Sequence, residues 1–386
     1  MPITSVGTFL CPRCGNSDAK YIGVHKNGKP YCRRCVGFVG ESVTVHEGKA
    51  RNVSLKLDYA LSKEQQELSD AILANFRAGI DTLVYAVTGS GKTEISYAVI
   101  AYAMSKGMKV GFSLPRRDVV IELCFRLKDA FPNSRIVSVY GGHTSKLEGD
   151  CLILTTHQLY RYPQYFDLLV LDEIDAFPFK GNETLIGLFR SALKGHCVMM
   201  SATPSKTVVK EFQKEGKAML TLHTRFHRHP IPIPKLMMKA GPAKFVFLVK
   251  ALKRYQAQKK QCFVFVPTVA MAESLFRLIS PFVKNGNFVS SKRKGREAII
   301  KGFKAKRYSF LVTTAVLERG VTVKDLQVIV YRSDNRIYDA AALIQIAGRA
   351  GRKYDAPTGE VIFLCNRITK GMVGAKKEIE YCNSFL

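Results

Sequence analysis

Lys92 and the pair Asp172-Glu173, eighty residues further on, are the side chains in this sequence whose types and spacing best suit chemistry. Lys92 stands in Ala86-Val87-Thr88-Gly89-Ser90-Gly91-Lys92-Thr93, and Asp172-Glu173-Ile174-Asp175 follows the apolar run Phe166-Asp167-Leu168-Leu169-Val170-Leu171. A glycine-rich turn of this kind offers backbone N–H groups and an ammonium to phosphate oxygens. An acidic pair at a strand end offers one carboxylate to Mg²⁺ and another to polarise a water. In this order the two halves predict ATP hydrolysis. Gly89, Ser90 and Gly91 would present their N–H groups to the phosphates, and Lys92 would contact the β- and γ-phosphates. Thr93 and Asp172 would hold Mg²⁺, and Glu173 would orient the attacking water. Ala86 replaces the first glycine of the general pattern, a small-for-small exchange that leaves the cradle intact. The bland alternative, an acidic pair on a solvated turn, fits poorly after six mostly apolar residues.

Those residues need a scaffold, and the sequence pattern supplies one. From about residue 53, short apolar runs alternate with helical patterns, which predicts a parallel sheet with crossover helices. The expected strands are Leu83–Val87, Val110–Leu114, Ile136–Tyr140, Cys151–Thr155, Leu168–Leu171 and Val198–Met200, with a helix over Glu94–Met104. Near-continuous apolarity suits strands buried on both faces. A segment rich in proline and histidine, His227-Arg228-His229-Pro230-Ile231-Pro232-Ile233-Pro234, blocks helix and favours an extended connection. A second alternation follows, with strands expected at Phe263–Val266, Phe310–Thr313, Val328–Tyr331 and Val361–Leu364. It contains no second phosphate loop.

Ahead of both lies Cys11-Pro12-Arg13-Cys14 with Cys32-Arg33-Arg34-Cys35, a C-x2-C-x17-C-x2-C spacing. Two such turns bring four thiolates to one tetrahedral zinc ion, and a closed four-sulfur shell makes that zinc structural. Metal binding would provide most of the folding energy of so small a module. A redox pair is the main rival, and no thioredoxin-like unit accompanies it. Arg13, Lys20, Lys26, Lys29, Arg33 and Arg34, with Tyr21 and Tyr31 between them, suit nucleic-acid contact. A passive clip or docking knob is the other reading. Cys151, Cys197, Cys262 and Cys365 read as small core residues, while Cys124 and Cys382 have no evident role.

Composition restricts the partner. The 386 residues carry 59 Lys and Arg against 31 Asp and Glu, a net charge of +28. Residues 231–386 hold 29 basic and 10 acidic side chains, so most of the excess lies there. Such a bias favours a polyanion. The densest stretch, Lys292-Arg293-Lys294-Gly295-Arg296 through Lys301, Lys304, Lys306 and Arg307, either tracks phosphates or is a solvated helix face. No segment approaches the ~20 apolar residues that span a bilayer. The N-terminus lacks signal-peptide regions, so a cytoplasmic location without a membrane anchor is expected. No carboxylate set beyond Asp172 and Glu173 supports a nuclease.

Ser201-Ala202-Thr203-Pro204, after the strand that follows the acidic pair, resembles the SAT motif of superfamily 2 helicases, and the resemblance extends over residues 55–370. Leu61-Ser62-Lys63-Glu64-Gln65 resembles the motif whose glutamine, here Gln65, reads adenine. Pro115-Arg116-Arg117 and Thr155-Thr156-His157-Gln158 correspond to loops that grip a nucleic-acid backbone. Thr313 to Thr322 resembles the motif that joins ATP sensing to strand contact, and Gln345-Ile346-Ala347-Gly348-Arg349-Ala350-Gly351-Arg352 resembles QxxGRxGR. The likeness implies that Gln345, Arg349 and Arg352 serve the γ-phosphate, the arginines as fingers in cis. With the cysteine module directly ahead of the motor and Asp172 to Pro178 reading DEIDAFP, the chain resembles the ComFA family of late-competence DNA-uptake ATPases.

The resemblance implies an α/β fold of two RecA-like parallel-sheet domains preceded by a small four-Cys zinc-binding module. The expected divisions are 1–48, 49–228 and 229–386. It implies ATP, Mg²⁺ and Zn²⁺, and a motor on single-stranded DNA drawing transforming DNA through a membrane channel with other competence proteins. Any association with the inner face of the membrane would be peripheral. A replication-restart helicase, another DNA or RNA helicase, and an inactive zinc-bearing scaffold stay open as alternatives. Strand separation, polarity and oligomeric state are not legible.

Overall fold

In the computed structural model the described residues are 9–174, 179, 181–204, 206–290, 293, 295–314 and 323–386. Contacts divide the chain into two units, Met1–Ala86 with Lys92–Leu222, and Val87–Gly91 with His223–Leu386.

The first unit opens with a small antiparallel pair, β1 (Ile22–Val24) and β2 (Pro30–Cys32). Its main sheet contains β3 (Thr82–Ala86), β4 (Val110–Leu114), β5 (Ile136–Val139), β6 (Cys151–Thr155), β7 (Phe166–Asp172), β8 (Leu193–Ser201) and β9 (Ala218–Leu222). The order is β5-β6-β4-β7-β8-β3-β9, and every neighbouring pair is parallel. α1 (Lys63–Arg77) precedes the sheet, and crossovers run through α2 (Tyr97–Ser105), α3 (Arg117–Ala130), α4 (Glu183–Ala192) and α5 (Lys206–Lys214). β4 and β6 are buried at every position, as helices on both faces require. One face packs Val84, Phe112, Ile153 and Val170 against the helices, and the other packs Leu83, Leu152, Leu169 and Leu171.

The second unit repeats the plan. β10 (Lys235–Met238), β11 (Gln261–Phe265), β12 (Gly286–Val289), β13 (Phe310–Thr313), β14 (Leu326–Tyr331) and β15 (Val361–Cys365) form a sheet in the order β10-β15-β14-β11-β13-β12, again parallel throughout. Its helices are α6 (Gly241–Ala257), α7 (Val269–Ile279), α8 (Arg296–Lys304), α9 (Ala340–Ala347) and α10 (Lys370–Asn383). Thr268, Asp339 and Thr369 cap α7, α9 and α10 with side-chain oxygens. The fold is therefore α/β with two RecA-like parallel-sheet domains and a four-cysteine module ahead of them, as expected.

In the two main sheets β9, β10 and β12 went unforeseen, each at a sheet edge, as did the small β1–β2 pair ahead of them. The expected helix from Glu94 begins as a 3₁₀ turn, Glu94–Ser96, before becoming α-helical at Tyr97. Cys124 and Cys382, without an evident role in the sequence, are buried core residues.

Candidate active site

All strands of the first sheet point the same way, so the turns leaving β3, β7 and β8 emerge at one edge, where ligands of open α/β sheets bind. The turn after β3 is the glycine-rich segment. Gly89 and Gly91 have φ of +86° and +79°, a conformation glycine adopts without a Cβ penalty. Lys92 Nζ donates to the carbonyl of Ala86 at 3.1 Å, and Ser96 Oγ to that of Thr93 at 2.6 Å. Next in line, Glu94 accepts from Tyr59 Oη at 2.9 Å and pairs with Arg126 of α3. Burial, reinforced by Glu94, pushes the Tyr59 phenol well above its usual range.

Asp172 is the last residue of β7 and lies opposite Met200 of β8. Its Oδ1 accepts the Glu173 N–H at 2.7 Å. Glu173 has φ of +60°, sparsely populated for a side chain of this type. Holding it there costs of order 1–3 kcal/mol, a kind of strain that collects at functional sites. Ser201 ends β8, and its Oγ accepts the Thr203 N–H at 2.9 Å. Lys92, Thr93, Asp172 and Glu173 thus share one edge of one sheet. Asp175 to Pro178 lie outside the described residues. Gln65 stands at the third position of α1, where Ser62 N–H donates to its Oε1 at 2.8 Å, and Gln65 N–H returns a bond to Ser62 Oγ at 3.3 Å. That capping box fixes the start of α1.

In the second unit, Asp339 Oδ1 accepts the Ala342 N–H at 2.8 Å, and α9 runs from there into the arginine turn. Gln345 and Arg349 are both 5% exposed. Gly351 has φ of +62°, and a Cβ there would meet the Pro357 carbonyl oxygen at 2.1 Å, so only glycine fits. Thr313 and Thr314 are buried, and residues 315–322 of that motif lie outside the described ones.

The four cysteines converge. Their sulfurs all lie within 4.8 Å of one another, with Cys11 and Cys35 Sγ 3.5 Å apart and Cys14 and Cys32 Sγ 3.7 Å apart. Zn–S bonds of about 2.3 Å in a tetrahedron place sulfurs about 3.8 Å apart, so the donor set fits zinc. Burial and the crowding of thiols push Cys14 up to about 11 and Cys35 higher still, a crowding that a cation would relieve.

This module is docked rather than free. Arg34 pairs with Glu183 in the first turn of α4 and stacks on Tyr21 at 4.1 Å. Tyr160 Oη donates to the Val39 carbonyl at 2.7 Å, Val43 N–H to the Arg161 carbonyl at 2.7 Å, and Phe38 stacks on Tyr160 at 5.7 Å. Arg13, bonded to the Phe38 carbonyl at 2.6 Å, is likewise engaged internally. Lys20, Lys26, Lys29 and Arg33 remain exposed.

Comparison with known proteins gives the frame a lineage. Residues 62–212 match the DEAD/DEAH box helicase family and residues 243–354 the helicase conserved C-terminal domain. Competence protein ComFA of Bacillus subtilis is 33% identical over 97% of this chain and 86% of its own length. The chain belongs to the ComFA family. ComFA of Streptococcus pneumoniae is 31% identical over 98% of this chain and 91% of its own length. Among solved structures, Dbp5 of S. cerevisiae bound to RNA and ADP BeF3 shares the fold, with a TM-score of 0.62 and 16% identity over 85% of this chain and 93% of that one. This ComFA-family chain is therefore an enzyme of the helicase and ATPase class, which implies ATP and Mg²⁺.

Among the backbone-gripping loops expected from sequence, Arg117 is exposed and lies over the Tyr140 ring at 4.9 Å. Thr156 and Gln158 instead turn inward, Thr156 Oγ1 lying 3.2 Å from Ser113 Oγ and Gln158 Oε1 accepting from Arg161 Nε at 2.8 Å. His157 faces Phe38 of the cysteine module at 6.1 Å. Sequence reading missed the Tyr59–Glu94–Arg126 cluster and the docking of Phe38. The first carried a signal, a charged residue directly after Lys92-Thr93. The second carried none, since one phenylalanine looks like another until a surface is placed against it.

Proposed function

We propose that this protein is an ATP-driven motor on single-stranded DNA that draws transforming DNA into a competent bacterium. Membership of the ComFA family over nearly the whole chain is the observation that carries this reading. The working divisions are a zinc module over 1–48, an ATP-binding domain over 49–228 and a second motor domain over 229–386.

Gly89, Ser90 and Gly91 bind the triphosphate through backbone N–H groups, and Lys92 neutralises its outer phosphates. Gln65 reads the adenine. Mg²⁺, held by Thr93 and Asp172, supplies charge neutralisation at those phosphates. Glu173 orients the attacking water and takes up its proton. Arg349 and Arg352, with Gln345 on the same turn, stabilise charge that develops on the γ-phosphoryl group. Cys11, Cys14, Cys32 and Cys35 hold a structural Zn²⁺. The zinc module and the basic second domain face the strand, and association with the uptake channel and other competence proteins brings the motor to the membrane. No helix among the described residues is long and apolar enough to cross a membrane.

The test is ATP turnover with and without single-stranded DNA. Wild-type turnover is expected to rise with single-stranded DNA and to fall at least ~100-fold in Lys92→Ala and Asp172→Ala. Stimulation by RNA alone would reassign the substrate, and unchanged turnover in both variants would remove the active site proposed here.

A further inference from the structure

The first residues of the second unit contribute a charged side chain that none of the motifs accounts for. Arg225 is 2% exposed. Its Nη1 donates to the carbonyls of Ala350 at 3.0 Å and Gly351 at 2.7 Å, and its Nη2 to that of Gly348 at 3.1 Å. All three carbonyls belong to the turn that carries Arg349 and Arg352. His227 adds a fourth strut. Its Nδ1 accepts the His229 N–H at 3.1 Å, which leaves Nε2 to carry the proton and donate to the Gly351 carbonyl at 3.1 Å. Burial and the nearby Arg225 charge hold this imidazole below its usual range, in keeping with the neutral form.

The geometry of Arg225 is satisfied only in part. Nε is buried and has no hydrogen-bond partner. No carboxylate pairs with this guanidinium among the described residues. Burial, with Arg352 adding to it, lowers Arg225 to about 9, so it stays charged at neutral pH. A buried cation compensated by carbonyl dipoles alone is costly, and an anion beside it would offset that cost. Gly89 of the phosphate loop clusters in the same unit, and a Cβ on it would lie 3.7 Å from Arg225 Nε. Phe226 N–H also donates to the Gly89 carbonyl, at 3.3 Å. The group that would offset the charge is therefore one the loop itself attracts: a polyphosphate.

We propose that Arg225 is a positioning residue that clamps the Gly348–Arg352 turn through its carbonyls and takes its counter-charge from the phosphates of bound nucleotide. This deepens the proposed ATPase reading and rests on it for the identity of the anion. Nucleotide arrival tightens the clamp and holds Arg349 and Arg352 in place. Lysine cannot substitute, because a single ammonium lacks the planar fork that reaches three carbonyls at once.

Arg225→Lys and Arg225→Met decide the matter through two measurements. The first is kcat and KM for ATP. In Arg225→Lys, which retains the charge, kcat is expected to fall about 10- to 100-fold, a loss typical of misplaced catalytic groups, with a smaller change in KM. The second is the rise in melting temperature produced by pyrophosphate with Mg²⁺. The wild type is expected to show it, Arg225→Lys to show a reduced rise, and Arg225→Met to lose most of it. Wild-type kcat in Arg225→Lys, or a pyrophosphate response equal to wild type in either variant, overturns the clamp. Should Arg225→Met fail to fold, the two measurements on Arg225→Lys decide alone. A wild type that responds to pyrophosphate yet never hydrolyses ATP would sink the activity reading and leave the anion clamp standing.

Discussion

Asp81 stands just ahead of β3, and three groups converge on its carboxylate. It accepts the Cys197 N–H at 2.9 Å, pairs with Lys217 at 3.1 Å and lies 3.4 Å from His196 Nδ1. Burial opposes its charge, yet the Cys197 N–H and Lys217 prevail and hold its pKa below the usual value. The folded state then binds fewer protons than the unfolded one. Its stabilisation is complete above the unfolded value near ~3.9 and is lost as pH falls through the folded value. His157, His223 and His227 are lowered chiefly by burial, so their contribution is full above about 6.5 and shrinks as pH falls below that. Urea midpoints should therefore fall gently from pH 7.5 to 5.5 and steeply below about 4, with Asp81→Asn flattening the lower step. A midpoint that rises between pH 7.5 and 5.5 would contradict the histidine assignment. The same scale shows what a sequence can and cannot reveal. Lys92 and its glycines are legible because their ligand shapes a contiguous segment. Arg225 is not, because its acceptors lie 123 to 126 positions away and its type alone says only that it is basic.

Among elements, the legible strands are those buried on both faces, such as β4, β6, β11, β13 and β15. The missed ones are edges, where half the positions face solvent and apolar continuity breaks. β9 alternates partly exposed residues, and β12 begins Gly286-Asn287, so neither carries the pattern of a buried strand. The four-cysteine module was legible from spacing, but its seat on α4 was not, since the seat depends on an absence. Gly187 of α4 lies so close that a Cβ would meet the Cys14 carbonyl oxygen at 1.9 Å. On an open helix face, Gly→Ala stabilises by about 0.5–1 kcal/mol. At Gly187 the sign should reverse, because the new methyl forces the module away from Arg34–Glu183 and from the Phe38–Tyr160 stack. Limited proteolysis is expected to cut Gly187→Ala faster than wild type between residues 36 and 48, as it should cut wild type after zinc is removed by a chelator. Equal cleavage of Gly187→Ala and wild type, at equal zinc content, would show that the module is held elsewhere.

For the molecule as a whole, charge does not follow from fold: a two-sheet motor can be neutral, and this one carries +28. Self-repulsion of that size opposes compaction, so a partner that neutralises it offers a physical reason for the excess. Residues 231–386 carry most of it, and Lys301, Lys304, Lys306 and Arg307 lie exposed on and just beyond α8, while Lys292 and Lys294 fall outside the described residues. Arg293 is already committed, bonded to Asn287 and stacked on Phe288 at 3.9 Å. Exposed lysines on a solvated helix face would leave nucleic-acid affinity unmoved, whereas lysines that meet phosphates release counterions when a strand binds. Each such contact to a single strand adds about −0.7 to the slope of log affinity against log salt. Replacing Lys304, Lys306 and Arg307 with alanine should therefore make the slope for oligo-dT shallower by about 2, and weaken binding alike for all sequences. Fluorescence anisotropy across 50 to 300 mM salt reads both quantities. An unchanged slope in the triple variant would return these residues to the solvent and move the strand to another part of the basic surface.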